Sequence, residues 1–142
     1  MSGGAVSIPR AVKRALVAQA RRERPRECCG LLVGRRRDVA FAVATRNVDM
    51  AAERFRVDDA AHIELRRVLR GFTPGLEVVG VYHSHPHSRA RLSASDVREA
   101  YYPNWIHVVV GLSGRRAEVR AFVVRRGSAQ ALPIRWRSSS RV

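Results

Sequence analysis

Leu76-Glu77-Val78-Val79-Gly80-Val81-Tyr82-His83-Ser84-His85-Pro86 is the stretch on which the fold turns. Residues 76–82 are mostly apolar and β-branched, which reads as a buried strand. The strand runs without a break into two histidines spaced two apart. Positions i and i+2 of an extended chain point to the same face, so both imidazoles can converge on one point. A loop over residues 86–92 then leads to Ser93, a good N-cap for a short helix reaching about residue 101, with Asp96 in its first turn.

Working outward from this stretch, Pro9 suits a first helical turn. Val12, Ala15, Leu16 and Ala20 follow at helical spacing until Pro25. Residues 28–33 form a second apolar run closed by Gly34, and residues 39–45 read as its hairpin partner across a charged turn. Asp58 or Asp59 can cap a helix carrying Ile63, Leu65, Val68 and Leu69, stopped by Gly71 and Pro74. Beyond Pro103, residues 106–112 and 117–124 read as strands across Ser113-Gly114. A weaker strand covers 132–136, and Ser138-Ser139-Ser140 reads as a frayed end. The order αββαβαβββ describes an α/β fold, a single mixed β-sheet flanked by helices. With no repeat and no linker, residues 1–142 are expected to form one domain with its core over about 8–137.

Two imidazoles and a carboxylate are a donor set that suits zinc. Three protein ligands leave a fourth position open, as in catalytic rather than structural zinc sites. Such a site also needs a proton acceptor that is not a ligand. Glu27, at the mouth of the 28–33 strand, is the best candidate, provided that strand lies beside His83 and His85.

The pattern Glu27 … His83-Ser84-His85-Pro86 … Ser93-x-x-Asp96 resembles the JAMM motif of the MPN+ (JAB-type) zinc metallopeptidases. Pro25-Arg26-Glu27-Cys28-Cys29-Gly30 is similar to the start of the first strand in short bacterial members, and Asn47 and Phe55 fall where those members often carry Asn and Phe. The resemblance spans roughly residues 8–125. It implies the MPN/JAB α-β-α arrangement, similar in overall fold to cytidine deaminases. It also implies one catalytic Zn2+ held by His83, His85 and Asp96, with Glu27 as general acid/base and Ser93 stabilising an oxyanion. The implied activity is zinc-dependent hydrolysis of a peptide or isopeptide bond, using water activated at the metal. The bond is the one after the Gly-Gly C-terminus of a ubiquitin-like or ThiS/MoaD-like sulfur-carrier protein. Leu92 departs from the proline common before the serine, and His87 is an extra imidazole in the loop. Nucleoside deamination is disfavoured because H-x-E and P-C-x-x-C are absent.

The chain has 142 residues and a formal charge of +15, with 27 Lys+Arg against 12 Asp+Glu. Lys13 is the only lysine. Such a charge invites a nucleic-acid reading. The arginines, however, run from Arg10 to Arg141 without a dominant stripe, and aromatics are only 6%, with none arranged as a stacking platform. The alternative rests on a second resemblance: RadC-like DNA-associated proteins carry a similar H-x-H-P … S-x-x-D block, and the charge would suit a protein that uses the same fold for nucleic-acid binding. That class usually carries an additional N-terminal helical region. Beside the motif, the charge suits docking of an acidic carrier. No apolar run approaches the ~18 residues of a membrane span, and no secretory h-region is visible. Together with the adjacent thiols Cys28 and Cys29, which read as packing, this predicts a cytoplasmic protein. His62 and His107 read as structural, while Tyr82, Trp105, Arg89 and Arg91 are not placed relative to the groove.

Overall fold

A strand over Val6–Pro9 (β1) precedes the expected first helix in the computed structural model, which describes residues 4–72 and 75–138. Val6 and Ile8 are fully buried. Pro9 is therefore the N-cap of helix α1 (Arg10–Glu23) rather than part of its first turn. Four residues alternating in and out are too short a pattern to stand out beside the helical periodicity that follows.

The hairpin of β2 (Cys29–Arg35) and β3 (Asp38–Thr45) falls where expected, followed by helix α2 (Asp59–Phe72). Pro74, expected to stop that helix, lies outside the described residues, as do Ser139 and Ser140. In α2 only part of the apolar set points inward: Leu65 and Leu69 pack on Leu31, Val33 and Val78, whereas Ile63 is 68% exposed. Strand β4 (Glu77–His85) carries both histidines. Helix α3 (Ala94–Arg98) stops short of the expected residue 101, and β5 (Ile106–Gly111) and β6 (Glu118–Arg125) follow. The weak strand expected over 132–136 is in fact two, β7 (Ser128–Leu132) and β8 (Ile134–Arg137). Pro133 separates them because it has no N–H to give to a ladder.

The eight strands form one mixed sheet in the order β7-β6-β5-β4-β2-β3-β1-β8. Strands β4 and β5 are parallel, and β1 is parallel to both β3 and β8; the other pairs are antiparallel. The two edge strands, β7 and β8, are consecutive in the chain and joined through Pro133. The sheet must therefore curl until its edges approach. It curls around α1: Val12, Leu16 and Ala20 pack with Val6, Ile8, Leu32, Tyr82, Val108 and Ala121, and Leu132 and Ile134 close over them. Helix α2 lies on the opposite face, giving the α-β-α arrangement. No described helix is long and apolar enough to cross a membrane.

One irregularity matters for the site. Leu32 pairs with Gly80 but the next residue, Val33, pairs with Val78, so Val79 is an extra residue in β4. Val78 and Val81 both face the α2 side, while Val79 and Tyr82 face α1. His83 shares the face of Val81.

Candidate active site

The sheet register explains how Glu27 reaches the histidines. Cys29 pairs with His83 across the antiparallel β2–β4 ladder, so Glu27, two residues earlier, comes opposite His85. The two strand ends are locked together: Ser84 donates its N–H to the Cys28 carbonyl at 3.1 Å, and the Cys28 N–H donates to Ser84 Oγ at 2.8 Å. A carboxylate oxygen of Glu27 and one ring nitrogen each from His83 and His85 lie within 4.8 Å of one another, and all three residues are buried.

Asp96 arrives from the other direction. Ser93 caps α3, its Oγ accepting the Asp96 N–H at 3.1 Å while its own N–H donates to Asp96 Oδ2 at 2.8 Å. This reciprocal capping box aims the carboxylate at the sheet. Asp96 Oδ2 lies 3.1 Å from His83 Nε2 and 3.3 Å from His85 Nε2, and the two nitrogens are 3.1 Å apart. Burial alone would raise the Asp96 carboxyl, but the two imidazoles hold it well below the usual carboxylate range. His85 Nδ1 lies 3.2 Å from the Arg89 carbonyl, which can only accept. That bond places the proton on Nδ1 and leaves the Nε2 lone pair facing the cluster. His83 is fully buried, its pKa is lowered by that burial, and Phe55 stacks on its ring at 4.2 Å.

With all three lone pairs turned inward, donors this close disfavour one another unless a proton shared between imidazole and carboxylate, which Asp96 favours at His85, or a metal cation lies between them. Donor atoms ~2.0–2.1 Å from a tetrahedral zinc are about 3.3 Å apart, and the observed triangle of 3.1–3.3 Å has that size. The donor set therefore fits zinc. Glu27 stands just outside the triangle, with Oε1 buried and lacking a hydrogen-bond partner among the described residues. Burial pushes its carboxyl up to about 7, with His85 pulling the other way.

The chain matches the family described as prokaryotic homologs of the JAB domain over residues 9–125. It belongs to that family. Within it, the chain is 31% identical over 128 residues to a probable TtuB-protein conjugate cleaving protease of Thermus thermophilus, covering 89% of this chain and 81% of the relative. It is 30% identical over 124 residues to the CysO-cysteine peptidase of Mycobacterium tuberculosis, covering 84% and 83%. The solution structure of a Desulfitobacterium hafniense protein superposes with a TM-score of 0.84 at 27% identity, covering 94% of this chain and 93% of that one. The JAB-domain match thus spans every residue of the site just described.

Other parts of this JAB domain were less visible in the sequence. Asn47, buried, uses its whole amide: Nδ2 donates to the carbonyls of Glu27 and Arg54, both at 2.9 Å, and Oδ1 accepts from Asp49 and Arg56 N–H, both at 3.0 Å. It ties the backbone of Glu27 to the loop that carries Phe55. His62 and His107, which read as structural, both line a cavity of about 500 Å³ that opens at His83 and Asp96. Trp105 lines it too. Tyr82 lies on the opposite face, hydrogen-bonded to Gln19. Arg89 pairs with Glu118 at 3.1 Å, and His87 is exposed and outside the converging group. Burial pushes the Cys28 and Cys29 thiols up to about 12 and about 11, so neither is primed as a nucleophile.

Proposed function

We propose that this protein is a zinc-dependent peptidase or isopeptidase that cleaves the bond after the Gly-Gly C-terminus of a small ubiquitin-like or sulfur-carrier protein. The observation that carries this reading is the triangle of His83, His85 and Asp96 donor atoms with a buried glutamate beside it whose Oε1 has no hydrogen-bond partner among the described residues. The activities for which the relatives are named, cleavage of TtuB conjugates and of CysO-cysteine, support the substrate class.

In this reading His83, His85 and Asp96 hold one zinc ion. Bound there, zinc polarises the scissile carbonyl and makes water acidic enough to react near neutral pH. Glu27 accepts the proton of the attacking water and passes it to the departing amine. A carboxyl raised toward 7 by burial suits both halves of that transfer. Ser93 Oγ accepts the Asp96 N–H as the cap of α3 and lies 3.2 Å from Ser95 Oγ; with the Ser95 hydroxyl as donor in that contact, the Ser93 proton is free to turn to the oxyanion. Asn47 and Ser84 hold the Glu27 backbone so that its carboxylate stays beside the histidines. The one-domain organisation over residues 1–142 belongs to the same proposal.

Metal analysis combined with Glu27→Gln tests the assignment. The variant should retain about one zinc per chain and lose cleavage of a Gly-Gly-linked carrier by about 10³-fold. Wild-type turnover in the variant, or wild-type protein that takes up no zinc, overturns it.

A further inference from the structure

The chain between His85 and Ser93 folds back over the sheet, and one row of the sheet is shaped to receive it. His85 on β4, Gly111 on β5 and Glu118 on β6 stand directly opposite one another across the two ladders, so they share a face. Gly111 is the gap in that row. A Cβ there would lie 2.4 Å from the Ala90 nitrogen and 2.7 Å from the Arg89 carbonyl carbon, so the returning backbone occupies the place of a side chain. Ala90, 1% exposed, packs with Val109, Phe122 and Leu92 beside the gap.

One peptide unit then bridges the row. The Ala90 N–H donates to Glu118 Oε1 at 3.0 Å, and the carbonyl of the same unit, that of Arg89, lies 3.2 Å from His85 Nδ1. A trans peptide points its N–H and its C=O in opposite directions, so a carboxylate on one side faces an imidazole on the other. We propose that Glu118 is a positioning residue for the proposed metal centre, acting through the Arg89–Ala90 peptide to fix the ring of His85 with Nε2 turned toward His83 and Asp96. The inference rests on the zinc reading and deepens it. A carboxylate acceptor makes the Ala90 bond charge-assisted and polarises the amide, which strengthens the Arg89 carbonyl as an acceptor. An imidazole whose Nδ1–H is held in this way is a fixed and more basic metal ligand. The ion pair between Glu118 and the Arg89 side chain, at 3.1 Å, is a separate contact. That side chain is 71% exposed, so water screens the pair and the backbone bond carries the effect.

The test measures zinc affinity of the full-length protein by chelator competition. In metal-free protein it also follows the downfield proton NMR signal of His85 Nδ1–H, which persists while the carbonyl shields it from exchange. Glu118→Ala should weaken zinc binding by about tenfold and erase that signal. Glu118→Gln keeps an oxygen for the Ala90 N–H and should restore affinity to within about threefold of wild type. Arg89→Ala removes only the exposed ion pair and should also stay within about threefold. Gly111→Ala forces the loop off the row by a different route and should weaken zinc binding at least as much as Glu118→Ala, which keeps the inference testable if either variant folds poorly. Wild-type affinity and an intact His85 signal in Glu118→Ala overturn the inference, as does a loss in Arg89→Ala equal to that in Glu118→Ala. Wild-type protein that binds no zinc overturns the metal reading instead, and the metal-free His85 signal then still decides whether Glu118 orients the ring.

Discussion

The two faces of the sheet are built to different standards. The face that curls around α1 is dry and continuous: Leu16, Leu32, Tyr82 and Val108 are all at most 1% exposed, and the edge strands close over them. The face under α2 has a small apolar patch of Leu31, Val33, Leu69 and Val78, beyond which the sheet lies open at the end of β4. There the side chains are histidines and carboxylates rather than valines. One layer supplies the stability, which lets the other hold buried, mutually unfavourable polar groups at fixed positions. The cost of a half-covered sheet is thus borne by the side that has no chemistry.

Perturbing either face separately sharpens this contrast. Leu16→Ala on the α1 face should cost about 3 kcal/mol by the loss of packing and the cavity it leaves. Urea unfolding measures it, and a cost under about 1 kcal/mol would show that the curled face is not the main core. Asn47→Ala on the other face leaves the Glu27 and Arg54 carbonyls and two N–H groups without partners. We expect about 2 kcal/mol of destabilisation, and turnover should fall further than stability does, with zinc content unchanged.

A smaller effect comes from Glu27 itself in protein stripped of metal. Its folded-state carboxyl is raised from 4.5 to about 7, so its stabilising contribution is full below the lower value and is lost as the pH rises through the upper one. Glu27→Gln has no proton to lose there. The metal-free variant should therefore match wild type near about pH 4 and exceed it by roughly 1–2 kcal/mol near about pH 6. Thermal melts across that range read the difference. Smallest of all, Ile63→Ser on the exposed side of α2 should change stability by less than about 0.5 kcal/mol.

The site was legible where it depends on local spacing. His83 and His85 are two apart on a strand, and Asp96 stands three after a capping serine, so their convergence follows from backbone geometry. Glu27 could be named from its place at the mouth of the 28–33 strand, but only the resemblance set it beside the histidines, because it meets them through a ladder between segments more than fifty residues apart. The cavity was less visible still. His62, Tyr102, Trp105 and His107 come from a helix, a loop and a strand, and no periodicity links them. For the fold, the strands of the hairpin and of the sheet centre follow from apolar runs. The β1–β8 end of the sheet does not: β1 is four residues long, and β8 is recognised as a separate strand only from its partner across the sheet. An isolated valine-isoleucine alternation carries too little apolar surface to announce itself until β3 and β8 flank it.

The extra residue in β4 bears on any attempt to transplant this site. Val78 anchors the strand in the α2 patch and His83 begins the donor triangle, yet they are five residues apart, an odd separation. On a straight strand the two would point to opposite faces. Val79 absorbs the mismatch, and Gly80 beside it lets the β5 backbone approach closely, since a Cβ there would meet the Ile106 carbonyl at 2.1 Å. A designer grafting the histidine pair onto another sheet must either carry the bulge and its glycine along or choose an anchor an even number of residues away. The motif can be moved, but its phase has to be moved with it.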